Sequence, residues 1–104
     1  MREEIREFAE LGPLPSQEAD VETIMRHEEA LLRIARPVTD EEAKVLIQLF
    51  GPDDCYGLAW VLLHLIETAP NLPIDETVRP EDNEWVRRIK IRIQNKKRWS
   101  GLPE

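Results

Sequence analysis

Four residues whose side chains could support chemistry recur at helical spacing: Tyr56, Trp60, His64 and Glu67. On a helix they would share one face and form a candidate pocket, with aromatic walls, a titratable imidazole and a carboxylate able to orient it. The same spacing suits a core stripe whose polar members lie at its edge, which is the interpretation we favour. The pattern leaves both alternatives open.

The remaining histidine and the single cysteine lack the partners that chemistry would require. His27-Glu28 begins the zinc-protease pattern H-E-x-x-H, but Leu31 occupies the position of the second histidine, so we expect a partly buried, hydrogen-bonded His27. Cys55 follows two aspartates that oppose thiolate formation, and helical geometry would place it opposite His64. The sequence therefore predicts a core cysteine, no enzyme activity, no metal site and no cofactor.

Acidic residues dominate this chain of 104 residues, whose net charge is −7. Residues 51–83 hold seven acidic side chains and one basic side chain. A surface of this sign suits a basic protein partner better than nucleic acid, and none of its clusters has the pattern of a calcium loop. The predicted partner-binding residues are Asp53, Asp54, Asp75, Glu76, Glu81 and Asp82.

The C-terminal segment, residues 84–104, has the opposite charge, with seven basic and two acidic side chains. Trp85, Val86, Ile89 and Ile93 give it an apolar stripe, so we expect it to dock on the acidic body (residues 1–83) or to pair two chains as a homodimer. Its basic residues and Trp99 also suit a polyanion. Nucleic-acid binding is nevertheless not expected, because the net negative charge opposes approach to phosphate.

The hydrophobic pattern predicts one all-α domain, a compact bundle of four or five helices. The apolar run 58–66 is typical of a helix buried all round, so we expect both Trp60 and Leu62 in the core. We expect Asp53 to cap this helix and Ala69 to lie near its end. Residues 39–42 form a capping box that starts the preceding helix, and Gly51 ends it about three residues before the next. Together the two helices predict an antiparallel hairpin at the centre of the bundle.

The other helices are predicted at residues 2–11, where Ile5, Phe8 and Leu11 with Ala9 form an apolar stripe, at about 16–36 with Ser16 as N-cap, and at about 84–99 with Asp82 or Asn83 as N-cap. The last segment also alternates as a strand would, but a strand would have no partner here. Residues 70–82, which contain three prolines, indicate a surface loop. The expected apolar side of the second helix comprises Val21, Ile24, Met25, Leu31, Leu32 and Ala35.

In size, charge and fold class the chain resembles the small acidic helical proteins that bacteria use as immunity proteins or antitoxins. The leading hypothesis is a non-enzymatic inhibitor that occludes a basic partner such as a nuclease toxin. The alternative is a regulatory or adaptor protein that homodimerises through its C-terminal segment and contacts nucleic acid. The charged N-terminus lacks a signal peptide and the apolar run is too short for a bilayer, so we expect a cytoplasmic protein without membrane association.

Overall fold

Five α-helices and one short 3₁₀ helix make up the described part of the chain. The structure is a computed structural model that describes residues 1–72, 74, 75 and 77–100. No strand occurs within these residues, so the all-α prediction is confirmed, and residues 84–100 form a helix rather than a strand. The helices are α1 (Glu3–Glu10), α2 (Val21–Leu32), α3 (Asp40–Leu46), the 3₁₀ helix (Ile47–Leu49), α4 (Leu58–Ile66) and α5 (Glu84–Ser100).

Helix α1 is an integral part of the core. It contacts both α2 and α3, while α3 also contacts α4, and α4 contacts α5. Ile5 and Phe8 on α1 are fully buried, as the periodicity predicted, whereas Leu11 just beyond the helix is exposed. Leu62 on α4 and Ile89 on α5 are fully buried members of the same hydrophobic cluster. The apolar sides of the outer helices therefore meet in one continuous core.

Two helix starts follow the capping chemistry that the sequence predicted. Thr39 Oγ1 accepts a hydrogen bond from the Glu42 amide at 3.1 Å, and Glu42 Oε1 accepts one from the Thr39 amide at 2.8 Å, which is the expected capping box. At α5, Asn83 Oδ1 accepts a hydrogen bond from the Trp85 amide at 2.8 Å. Asn83, and not Asp82, is therefore the N-cap of the last helix.

Helix α2 is shorter than predicted at both ends. Asp20 is its N-cap, and the Asp20 carboxylate accepts a hydrogen bond from the Thr23 amide at 2.8 Å. Ser16 is not the cap, because its hydroxyl donates a hydrogen bond to Asp53 at 3.1 Å. Residues 17–19, between Ser16 and Asp20, form a turn and not a helix. The predicted limits of this helix, about residues 16 and 36, were therefore wrong, and the helix extends from Val21 to Leu32.

The connection between α3 and α4 is also longer than the predicted three residues. Cys55, Tyr56 and Gly57 have φ values of 47°, 55° and 91°, a left-handed conformation that no α-helix can contain. Helix α4 consequently starts at Leu58 with Gly57 as its N-cap, and the prediction that Asp53 caps it was wrong. Gly51 does not cap α3 either. Helix α3 ends at Leu46 and is followed by the 3₁₀ helix, which itself ends at Leu49, before Gly51 is reached.

Candidate functional site

Asp53, the first of the predicted partner-binding residues, is engaged within the chain. Its carboxylate accepts hydrogen bonds from the Gln17 amide at 3.1 and 3.2 Å, from the Ser16 hydroxyl at 3.1 Å and from the Cys55 amide at 2.9 Å. The bond from the Gln17 amide contributes most to lowering the pKa of this carboxyl. Asp53 therefore holds the segment before α2 against the turn before α4.

Its neighbours in this turn are partly or fully buried. Oδ1 of Asp54 is buried and has no hydrogen-bond partner among the described residues. Cys55 is fully buried, and its pKa is raised by burial and then by the charges of Asp53 and Asp54. The prediction of a core cysteine is confirmed, and this thiol is unsuited to nucleophilic chemistry at neutral pH.

Two acids of the proline-containing loop, Asp75 and Asp82, are paired with cations. Arg79 Nη2 donates to Asp75 Oδ2 at 3.0 Å, and Lys90 Nζ on α5 donates to Asp82 Oδ2 at 2.9 Å. Hydrogen bonds from the backbone amides of Thr77 and Arg79 are the largest causes of the lowered pKa values of Asp75 and Asp82, respectively. These two acids consequently add little net charge to the loop surface. Of the other predicted residues in this loop, Glu81 is exposed and Glu76 lies outside the described residues.

The candidate pocket residues form an exposed aromatic edge. Trp60 and His64 stack with ring centroids 6.1 Å apart, and His64 Nδ1 lies 3.4 Å from Glu67 Oε1. Trp60 also packs edge-on against the buried Trp85 at 5.0 Å. Tyr56 does not belong to this stack, because it precedes α4 and its hydroxyl donates to the Gln17 carbonyl at 3.1 Å. The structure thus brings together three of the four predicted residues.

Trp60 is 37% exposed, so the expectation that α4 is buried all round was wrong. Trp60 and His64 lie at the outer face of the helix, whereas Leu62, Leu63 and Leu65 face the core. None of Tyr56, Trp60, His64 and Glu67 is buried, so the interpretation that we favoured, a core stripe with only its polar members at the edge, was wrong. An enclosed pocket would require those side chains to be covered.

Substitution of α4 residues by alanine should therefore have unequal effects. We expect Leu62→Ala to lower the free energy of unfolding by about 3 kcal/mol or more, because it leaves a cavity in a fully buried site. Trp60→Ala should cost less, about 1–2 kcal/mol, since part of its ring is already hydrated. Urea unfolding followed by circular dichroism measures both, and equal losses would show that Trp60 is as deeply packed as Leu62.

Helix α5 docks on the body of the protein. Arg92 donates to both carboxylate oxygens of Glu67, at 2.8 and 3.0 Å, and the Arg88 guanidinium lies 5.4 Å from the ring centroid of Trp60 on α4. The predicted apolar stripe is covered within the monomer, because Trp85, Ile89 and Ile93 are buried. A homodimer built on this stripe would have to displace those contacts. The side chains of residues 96–99 lie outside the described part of the structure.

The outer face of α2 carries an apolar surface that the sequence interpretation assigned to the core. Val21, Met25 and Leu32 are 71%, 52% and 65% exposed. At 100° per residue they fall within about 40° of one another, whereas the buried His27, Ala30 and Leu31 lie roughly on the opposite side. The helix therefore has two apolar stripes, and testing its residues for two separate faces would have revealed the second.

His27 belongs to the buried side of α2, as expected. Its Nδ1 lies 2.9 Å from the Thr23 carbonyl oxygen, and its ring packs edge-on against Phe8 at 6.5 Å between centroids. Nε2 is buried without a hydrogen-bond partner among the described residues. The prediction of a hydrogen-bonded histidine is confirmed, although His27 is more deeply buried than the partial burial that we expected. Its contact with Phe8 helps to fix α2 on α1.

The described residues contain neither a cluster of metal ligands nor a membrane-spanning helix. No three His, Cys, Asp or Glu side chains in this part of the chain are placed to hold a metal ion together. None of its helices has the length and hydropathy that a bilayer span requires. Comparison with models of known protein families, with curated proteins and with solved structures finds no match for this chain.

Proposed function

We propose that this chain is a non-enzymatic protein-binding module that recognises a basic partner. The observation that carries the proposal is the sign of the surface charge left unpaired within the chain. Many basic side chains are committed to intramolecular ion pairs, among them Arg26, Arg79, Arg88, Lys90 and Arg92. Among the described residues, the exposed carboxylates that form no ion pair are those of Glu3, Glu10, Glu18, Asp20, Glu28, Glu29, Glu41 and Glu81.

These carboxylates are concentrated on the part of the molecule built by α1, α2 and the start of α3. Glu3 and Glu10 lie on α1, Glu28 and Glu29 on α2, and Glu41 in the first turn of α3. The three helices contact one another through α1. The negative field available to a partner is therefore strongest here, and weaker at the loop acids that Arg79 and Lys90 neutralise.

In its most specific form, the proposed module is an inhibitor of the immunity or antitoxin type. Exposed carboxylates would attract the cationic cleft of a nuclease toxin in the way that phosphates do, and the bound helical body would block access to that cleft. Such an inhibitor requires fast association and a well-packed scaffold, and it catalyses no reaction itself. The alternative of an adaptor that homodimerises through α5 has less support, since the apolar stripe of α5 is covered within the monomer.

The test is co-expression of this chain with the protein encoded immediately upstream of its gene. We expect that protein to be basic, to arrest growth of a bacterial host when produced alone, and to be neutralised when both are made. The association rate constant of the purified pair should fall roughly tenfold or more between low and high salt. A neighbour that is harmless and does not bind would contradict the inhibitor proposal.

Matched charge variants separate electrostatic attraction from damage to the fold. Replacing Glu3, Glu10, Glu18 and Glu41 by glutamine should slow association, because these exposed side chains form no ion pair within the described residues. Replacing the exposed Arg6 and Arg36 by glutamine should accelerate it. Asp53 and Asp75 are unsuitable for this purpose, since their carboxylates hold the loops together. Equal association rates for all variants would remove the electrostatic basis of the proposal.

A further inference from the structure

Three large apolar side chains form an exposed ridge along α2. The ridge consists of Val21, Met25 and Leu32, each more than half exposed. It follows the helix for about 16 Å, at 1.5 Å per residue. Single exposed apolar residues are common on protein surfaces, but an aligned row bordered by charged residues marks an interaction surface.

The border of the ridge is acidic. Glu28 projects from the same side of the helix between Met25 and Leu32, and Glu29 lies next to it. Of the neighbouring arginines, Arg26 on α2 is paired with Glu22 at 2.8 Å, and Arg33, the residue after α2, is paired with Glu7 at 3.8 Å. The ridge therefore offers apolar contacts beside two carboxylates, those of Glu28 and Glu29, that form no ion pair within the described residues.

A shallow groove runs beside the ridge, between α1 and α2. Its volume is about 220 Å³, and its lining consists of the exposed Leu11 and Glu29 and the buried Ala30, together with the ion-paired Glu7, Arg26 and Arg33. Glu29 lines the groove and also borders the ridge, so a partner segment lying along α2 would contact both. Helices commonly bind in this manner, with apolar residues one turn apart as anchors.

A second copy of this chain is a poor occupant of the ridge. An antiparallel twofold pairing centred between Val21 and Leu32 would place Glu28 of each copy against Met25 of the other. It would also bring Glu28 and Glu29 of both copies into the same interface, where Arg26, the one cation of α2, is already paired with Glu22. The desolvation and repulsion of four carboxylates would oppose such a dimer.

We infer that the outer face of α2 is the docking site for a basic amphipathic helix of the partner. The partner's apolar residues would cover Val21, Met25 and Leu32, while its lysines or arginines would pair with Glu28 and Glu29. This inference rests on the proposed function and specifies the surface and the partner element involved. It places the contact on α2, whereas the sequence interpretation placed it on the loops at residues 53–54 and 75–82.

The experiment uses the full chain and a synthetic helical peptide of 18 residues with leucines on one face and lysines elsewhere. Binding is followed by fluorescence anisotropy, and the contacted residues by NMR chemical shifts. We expect the largest shifts within residues 21–32. Met25→Ser combined with Leu32→Ser should weaken binding roughly tenfold or more, because two exposed anchors are lost without disturbing the core.

Two controls distinguish the ridge from general attraction of opposite charges. A scrambled peptide of the same composition lacks the apolar face and should bind more weakly. Ile91→Ser removes an exposed apolar side chain from α5 and should leave peptide binding within about twofold of the original value. Shifts centred elsewhere, or equal binding by the ridge variant, would overturn the inference. Ridge-dependent dimerisation in sedimentation experiments would do so as well, since it identifies a second copy as the occupant.

The same ridge variant separates this inference from the proposed function. If Met25→Ser/Leu32→Ser still neutralises the upstream gene product, the function stands and the docking site is wrong. If the unmodified chain fails to neutralise that protein while peptide binding still depends on the ridge, the docking site stands and the inhibitor proposal is wrong.

Discussion

Replacing Gly51 by alanine should destabilise the protein by roughly 3 kcal/mol or more, the range of severe core changes. A Cβ atom at this position would lie 2.0 Å from the backbone oxygen of Leu14 and 2.8 Å from its carbonyl carbon. Two hydrogen bonds hold the crossing segments in place: the Leu14 amide donates to the Leu49 carbonyl at 2.8 Å, and Asn83 Nδ2 donates to the Gly51 carbonyl at 2.9 Å. Neither segment can retreat without weakening these bonds.

Gly57→Ala is the matched control for this substitution. Gly57 has a φ of 91°, so alanine would be strained there, but nothing lies within 4 Å of the added carbon. We expect a loss of about 1–2 kcal/mol, the usual cost of a left-handed conformation. Chemical unfolding of both variants measures the difference. If Gly51→Ala were the milder of the two, the close approach of the two backbones would not be a constraint on the fold.

The parts of the fold that the sequence predicted correctly depend on local chemistry. The capping box of Thr39 and Glu42 requires only residues three apart, and the Asn83 cap only residues two apart. The buried periodicity of Ile5 and Phe8 is likewise contained within one helix. Such signals remain valid whatever the rest of the chain does.

The errors arose where a residue's partner lies far along the chain. Ser16 and Asp53 were both predicted as helix caps, but they are 37 positions apart and hydrogen-bond each other. Gly51 was predicted to end a helix, yet it is required by the passage of the backbone at Leu14. Sequence spacing gives no information on such contacts, because a side chain that can cap a helix can equally well form a hydrogen bond to a residue of a distant loop.

The candidate site illustrates the same limit. Acidic residues in the loops were predicted to face a partner, but Asp75 and Asp82 are paired with Arg79 and Lys90. On α2, apolar residues at 21, 25 and 32 were assigned to the core, although the buried side of that helix is formed by His27, Ala30 and Leu31. Hydrophobicity alone does not show which of two stripes is buried; that is decided by the helix that packs against it, here α1.

The second large effect is expected at Glu42, a buried carboxylate that takes part in a helix cap and also forms an ion pair with the partly exposed Arg2. Its carboxylate receives hydrogen bonds from Arg2 Nε and Nη2, at 2.9 and 3.0 Å, as well as from the Thr39 amide. Arg2 Nη1 also donates to the Ala35 carbonyl at 2.9 Å, so the start of the chain is joined both to α3 and to the segment after α2. The hydrogen bonds from Arg2 are the main reason that the pKa of Glu42 is lowered from 4.5 to about 2.

This lowered pKa predicts a specific dependence of stability on pH. A carboxylate whose pKa is lower in the folded state stabilises the fold above its unfolded pKa, and the contribution disappears as the pH falls through the folded value. Glu42 should therefore contribute about 3 kcal/mol at neutral pH, and most of this should be lost between pH 4.5 and pH 2. The pKa values of Asp20, Asp40 and Asp53 are also lowered, so acid unfolding of the native chain alone does not isolate Glu42.

Comparison with Glu42→Gln isolates it, because the amide keeps the shape of the side chain but carries no charge. At pH 7 we expect the variant to be about 2–3 kcal/mol less stable than the native chain, and the difference should shrink toward zero as the pH approaches 2. Glu41→Gln, at the exposed neighbouring position, should change stability by less than about 0.5 kcal/mol at either pH. Arg2→Ala should remove most of the same pH dependence of stability. When Arg2→Ala and Glu42→Gln are combined, their losses of unfolding free energy should not add, because both variants remove the same interaction. The contrary result would be a difference in the free energy of unfolding between the native chain and Glu42→Gln that stays constant from pH 7 to pH 2. It would show that the ion pair with Arg2 does not control the ionisation of Glu42, whose role in the fold would then be confined to the cap at Thr39.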